Sequence, residues 1–468
     1  MKSHVLSILL AISTSLGCSA QRGGTVYEPV RYEDGTVVEG EAEAEALFAQ
    51  DRFLVDTTLL EKGDTLFTFR HASAFVRLQL DGLPAGIDKI SLVPMEGKLT
   101  EIPVTEPGTL VMWMAKEPGG VPATAAIVQA PDGRVWSARL PALALQPGIA
   151  CRWTGTFLTP EAPAIDLKAT PLPATLLDID PGEFSGITHI SGNRYAVVDD
   201  KLKGGGILFF SIPMDGYGNV GTVRMQVADG TEQATDKARD CEGIAFVPSA
   251  GALYVSSENQ EIRGYDLAGQ ATGKALRIPK DMGVNDIQSN RGFEALTYND
   301  ATGLFWTTTE SPLKNDTFLP RVLRLQSFNT DGEPGERYFY QTGEPLKSSA
   351  GTQAYVHGIP ALAALDDGRL LVLEREVYVP KGGFWDKLSN SFTKTDLYLV
   401  DPVHDTAGLL RKSLLCSFRT GALDLANFEG MCLGPALPDG ARPLLLIADS
   451  QRGSGGLTNE YVKVILLR

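Results

Sequence analysis

Cysteine, histidine and basic charge are all scarce in this 468-residue chain. Five cysteines and five histidines, with no CxxC pair and no Cys/His cluster, exclude a zinc site of the usual spacing. Acidic side chains outnumber basic ones, giving a net charge of −15 and a pI near 4.9. Nucleic acid needs a basic footprint and is excluded as a partner, and the overall charge argues against adhesion to anionic lipid. There is no Gly-x-Ser-x-Gly elbow, P-loop, His-Glu-x-x-His pair or dinucleotide fingerprint, which removes α/β-hydrolase, NTPase, zincin and Rossmann chemistry.

Long apolar runs are missing too. The longest, Val5 to Leu16, follows Lys2 and is too short to span a bilayer. With the small residues after it, it reads as an export signal over residues 1–18. Ser15-Leu16-Gly17-Cys18 resembles a bacterial lipobox, with Ser15 where Leu is usual, and implies lipidation at Cys18. The expectation is an exported lipoprotein of the outer membrane or cell surface, touching the membrane only through its anchor. Plain secretion with cleavage near Ala20 is the alternative. Cys151, Cys241, Cys416 and Cys432 remain, either paired or free.

Short strand-like runs separated by Gly, Pro and Asp dominate what is present. Residues 19–50 are polar and acidic and read as a tether; 51–158 alternate with period two and predict an all-β sandwich. Four prolines between 159 and 175 mark a linker, and 176–468 form a second domain. "FRHASAFVRLQL" and "LQPGIACRWTGTF" in the first domain are similar to the fimbrillin-type sandwiches of Bacteroidota lipoproteins, although Cys151 stands where those close on a Tyr-like position.

The second domain repeats. "EFSGITHI" (183–190), "DCEGIAFV" (240–247), "GFEALTYN" (292–299), "GIPALAAL" (358–365) and "NFEGMCLG" (427–434) each open a unit, and each is followed by an apolar strand ending in an acid. Four antiparallel strands per unit predict a β-propeller of five blades, six being the alternative. The last unit is short of a strand, and "ATLLDID" (174–180) is expected to complete it.

Propeller geometry would bring two sets of acids to one mouth of the central channel. Glu242, Glu294 and Glu429 lead the innermost strands; Asp199, Glu258, Glu310, Glu374 and Asp449 end the second strands. Crowded carboxylates need a cation, either a divalent metal, for which hard oxygen donors favour Ca²⁺ or Mg²⁺, or nearby basic side chains, for which Arg239, Arg291, Arg375, Lys201 and Arg452 are the candidates. The metal set expected is Asp199, Glu258, Glu310, Glu374, Glu429 and Asp449, with Ca²⁺ as cofactor. Alternatively each acid caps backbone N–H groups and pairs with an arginine of the next blade. Where the repeat breaks, Ser185 and Pro360 replace the leading Glu, with His357 nearby. Glu242, Glu294 and His357 are the catalytic candidates, and Arg291, Arg375 and Ser185 the substrate-binding ones.

The motifs "EFSGI…RYAVVDD", "RDCEGIAF…LYVSSE", "NRGFEALTYN…TTTESPL", "RVLRL" and "LLVLERE" resemble the family labelled esterase-like activity of phytase, over about 176–455. That resemblance implies a propeller that hydrolyses phosphate or related esters, acting on a small-molecule phosphate ester. No continuous calcium loop is present, so a metal site would be assembled from separate blades. A non-catalytic surface module for glycan, peptide or protein is the competing expectation.

Overall fold

A computed structural model describes residues 24–60, 65–94, 98–130, 135–157, 169–171, 182–235, 239–288, 291–403, 408–421, 426–449 and 462–468. The signal segment, Cys18 and Arg452 lie outside them. None of the described helices is long and apolar enough to cross a membrane. Chain contacts define two compact units: 1–81, 108–123 and 140–155 in the first, and 82–107, 124–139 and 156–468 in the second.

The first unit is built of strands and the short helix Ala42–Phe48, and residues 24–50, expected as a tether, are folded into it: Val30, Tyr32, Val38 and Ala44 are buried against Phe75 and Trp113. One sheet orders Gly24–Tyr27, Thr65–His71 and Phe53–Leu59, and another joins Arg31–Tyr32, Ile149–Thr156, Ala74–Leu83 and Gly108–Lys116. His71 is buried beside Asp51 at 3.3 Å, between Phe53 and Phe75, a packing role. Burial lowers its pKa, with Asp51 opposing.

In the second unit, Lys89–Pro94, Thr100–Pro103, Thr124–Gln129 and Val135–Leu140 form one sheet, whose Val93, Ile127 and Val135 pack on Leu319, Val322 and Phe339. The rest is a β-propeller. Its described residues hold five four-stranded sheets. The innermost strands are Phe184–Ser191, Cys241–Val247, Phe293–Asn299, Thr352–Ala364 and Asn427–Leu433. Each packs on the next, and the fifth returns to the first.

Each pair of neighbouring sheets shares an apolar cluster. Val198, Ile244 and Leu253 join blades one and two; Tyr254, Phe293 and Phe305 join two and three. Trp306, Leu323 and Val372 join three and four, Leu373, Phe428 and Leu446 join four and five, and Phe184, Tyr195 and Leu445 close the ring. Each fully buried side chain of this size contributes roughly 1.5–3 kcal/mol, so closure rests on many similar increments. The four cysteines described are free thiols.

The last sheet corrects one expectation. Its outermost strand is Ala169–Pro171, paired antiparallel to Val462–Leu467, inside the stretch read as linker. Residues 174–180 lie outside the described ones. Edge position explains how a proline-bearing segment can serve, because an outermost strand does not need every N–H in the ladder.

The fourth blade is taller than the others. Its second strand, Leu370–Pro380, runs six residues past Glu374, about 20 Å of extended chain, and is followed by the helix Phe384–Asn390.

Around the axis the strands touch. A Cβ on Gly243 would lie 2.6 Å from Glu294 O, 2.6 Å from Leu296 N and 2.7 Å from Ser256 Oγ. We expect Gly243→Ala to lower stability by roughly 1–3 kcal/mol in thermal or urea unfolding. Gly120→Ala, where nothing lies within 4 Å, should leave it nearly unchanged.

Candidate functional site

The innermost strand of every blade carries a β-bulge at the repeated position. Phe184 pairs with Asp199 and Gly186 with Val198, so Ser185 is extra. In the second blade Cys241 pairs with Ser257 and Ile244 with Val255, leaving Glu242 and Gly243 opposite Ser256 alone. Glu294 and Glu429 are extra in the third and fifth blades, and Ile359-Pro360 oppose Glu374 in the fourth. A bulge re-aims the side chain it carries. The one-residue shift is why the acids of apolar strands reach the channel mouth.

Small residues after the bulge let the backbones close. Gly186, Gly243 and Gly430 each abut a neighbouring innermost strand, and the channel beneath is a cavity of only about 10 Å³, lined by Ser185, Glu294, Pro360 and Glu429 among others. Asp240 adopts a left-handed φ of 48°, rare without glycine, just before the bulge of "RDCEGIAF".

Three carboxylates converge most tightly. Glu242, Glu258 and Glu294 each offer an oxygen within 4.8 Å of the others. Burial, then the neighbouring Glu429, Asp200 and Glu258 charges, holds Glu242 well above the usual carboxylate range, although the Ser185 hydroxyl opposes the shift. Burial and then Glu242 and Glu310 do the same to Glu294. Glu258 is raised by burial despite accepting the Gly292 N–H at 2.7 Å. Glu429 is pushed up to about 7 by burial against the pull of Arg375, and Asp200 to about 6, again by burial. Asp200 also has an oxygen, Oδ1, that is buried without a partner.

Arg375 is the main internal counter-charge. Its side chain is 4% exposed; Nη2 bonds Glu310 at 2.5 Å, while Nη1 bonds Asn427 at 2.8 Å and also meets Glu429. Arg291, 27% exposed, pairs with Glu310 from the other side. Burial would lower the Arg375 pKa, but Glu429, Glu310 and Glu294 overcome it and hold the guanidinium charged.

The sequence-predicted residues therefore separate into groups. Glu242, Glu294, Glu258, Ser185, Glu310, Glu429, Arg291 and Arg375 come together. Asp199 instead accepts the backbone N–H groups of Glu183 and Lys201, and Glu374 accepts Tyr340 Oη, Gly343 N and Lys412. Asp449 lies 3.5 Å from Asn427 Nδ2. His357 lines a different cavity of about 90 Å³ with Glu374, Glu376, Lys394, Asp396 and Tyr398, its pKa lowered by burial. Of the other expected counter-charges, Lys201 meets Asp200, Glu183 and Asp240, and Arg239 lies 3.6 Å from Glu261. Asn427 and Asp200 escaped the sequence reading. Asn427 stands two residues before Glu429, and Asp200 follows the repeated acid Asp199, so position in the repeat was the available signal.

The family described as "Phytase-like: Esterase-like activity of phytase" matches residues 179–451. The chain belongs to this family. No curated protein matches it. Among solved structures, the WD40 β-propeller domain of Doa1 is similar at 9% identity, covering 64% of this chain and 97% of that one, with a TM-score of 0.30.

The raised carboxylates of this phytase-like propeller fix the sign of a pH effect. A carboxyl whose folded pKa exceeds its unfolded value of about 4.5 stabilises the fold fully below that pH and loses the contribution as pH rises through the folded pKa, about 7 for Glu429. For Glu429 the loss is on the order of 3 kcal/mol. Without divalent cations the melting temperature should fall from pH 5 to pH 8, Ca²⁺ should restore it at pH 8, and Glu294→Gln should flatten the profile.

Proposed function

We propose that the protein is a metal-assisted hydrolase of phosphate or other esters, exported and carried on lipid at Cys18. The observation that carries this reading is the convergence of Glu242, Glu258 and Glu294 beside partly exposed Arg291. The donor set fits a hard cation: it is oxygen only, its carboxylates repel one another, and an unpartnered carboxylate oxygen of Asp200 lies in the same acidic neighbourhood. Glu242, Glu258 and Glu294 would hold the ion, with Ca²⁺ the cation of choice. When bound, such an ion neutralises the carboxylates and draws electron density from an ester oxygen.

The chain's own groups supply the rest. Arg291, the more exposed of the two, is placed to take a phosphate oxygen beside its contacts to Glu310 and Tyr355 O, whereas buried Arg375 directs both Nη atoms to Glu310, Glu429 and Asn427, leaves Nε without a partner, and braces blades three, four and five. Ser185 Oγ orients the Glu242 carboxyl. Glu429 and Asp200, at about 7 and about 6, are matched to proton exchange near neutral pH.

One observation favours a second reading. The wrapped guanidinium of Arg375, together with the backbone caps made by Asp199, Glu258 and Glu374, is what a purely structural ring would show, leaving a non-catalytic surface module. The readings separate on p-nitrophenyl phosphate, p-nitrophenyl acetate and phytate, assayed with Ca²⁺ and with chelator. The hydrolase should turn over at least one substrate in a chelator-sensitive way, Glu258→Gln should lose about a hundredfold in rate, and Arg291→Ala about ten- to hundredfold. No turnover by a protein that still melts cooperatively would leave the binding module.

A further inference from the structure

The helix that crowns the fourth blade presents Phe384 and Trp385, 70% and 75% exposed, as an edge-to-face pair with ring centroids 5.3 Å apart. The chain has five tryptophans, and the other four, Trp113, Trp136, Trp153 and Trp306, are buried. The strands beneath the pair hold it away from the body, on the side of the propeller where Glu374 and its neighbours lie. An exposed aromatic pair of this kind calls for a partner.

Local charge narrows the choice. Against a whole-chain charge of −15, the described residues of this projection carry Lys347, Lys381, Lys387 and Arg419. Lys347 lies over the Tyr378 ring at 5.8 Å, and Arg419 over Phe392 at 4.0 Å. Its described acids are Asp386, which accepts from Asn390 Nδ2, Glu376, which takes the backbone N–H groups of Leu346 and Lys347, and Glu344, which is paired with Arg321. Four cations thus stand against Glu376 and Asp386, Glu344 being offset by Arg321, so the tip carries a small positive surplus where the molecule as a whole is acidic. Exposed rings flanked by lysines suit a fluid interface: rings settle at the boundary of headgroups and acyl chains while lysines reach back to phosphates.

We propose that Phe384 and Trp385 insert into the headgroup boundary of an anionic bilayer, with Lys381 and Lys387 on its phosphates, holding the acidic mouth toward the membrane. This goes beyond contact through a lipid anchor, and it stands whether or not the propeller is a hydrolase.

Trp385 is its own reporter. The full chain is mixed with vesicles of phosphatidylcholine and phosphatidylglycerol, with and without brominated acyl chains, and tryptophan emission is read. Brominated vesicles containing phosphatidylglycerol should quench the exposed component, whatever else holds the protein to the bilayer. Trp385→Phe should abolish that quenching, and Phe384→Ser should weaken the quenching titration about tenfold or more. Lys381→Glu with Lys387→Glu should remove the preference for the anionic lipid. Absence of quenching at every phosphatidylglycerol content, with Trp385 still accessible to acrylamide, would overturn the proposal and leave the tip to a protein partner. Quenching that survives in Trp385→Phe would overturn it as well.

Discussion

Carboxylates forced together at the propeller axis are the constraint on which this structure turns. Five innermost strands approach closely enough that a single Cβ at Gly243 has no room. In that crowding a bulge puts one extra residue per blade at the channel mouth, and in three blades that residue is Glu. Burial removes the solvent that would otherwise screen them, so each raises the pKa of the next.

Arg375 answers part of this demand. One buried guanidinium reaches Glu310 of the third blade and Glu429 of the fifth, so the same contact balances charge and ties three blades. A buried ion pair recovers its desolvation penalty fully only when the remaining donors and acceptors are satisfied; Asn427 does this for Nη1 of Arg375, while Nε is left without a partner. Glu242, Glu258 and Glu294 have no comparable arginine contact in the described hydrogen bonds and ion pairs. They must share protons or take up a cation, and that choice connects the fold to its chemistry.

Much of this was legible in the sequence because a repeat places equivalent residues in equivalent positions. Glu242, Glu294 and Glu429 align through the small residue that follows each of them, and the ring brings them together. Their division of labour was not legible. Whether an acid after a second strand only caps N–H groups, as Asp199 and Glu374 do, or also meets other carboxylates, as Glu258 does, depends on which side chains the bulges turn toward it, and a bulge leaves no mark beyond one residue of spacing. His357 looked close to the mouth because it precedes Pro360 by three residues, yet its strand extends beyond the others and it lines a separate cavity. The outermost strand of the last sheet is hidden by Pro171, a residue that reads as linker in sequence and is tolerated here because the strand lies at the edge.

The most direct test of this account is a calorimetric titration of Ca²⁺ into the protein near pH 6, repeated in two buffers of different ionisation enthalpy. Shared protons among Glu242, Glu258 and Glu294 must leave when a cation enters, so the observed heat should differ between buffers by the amount that corresponds to proton release. Glu294→Gln should bind more weakly and release less. Binding whose heat is the same in both buffers, or no binding at all, would contradict the claim that these carboxylates hold protons in the place of a cation.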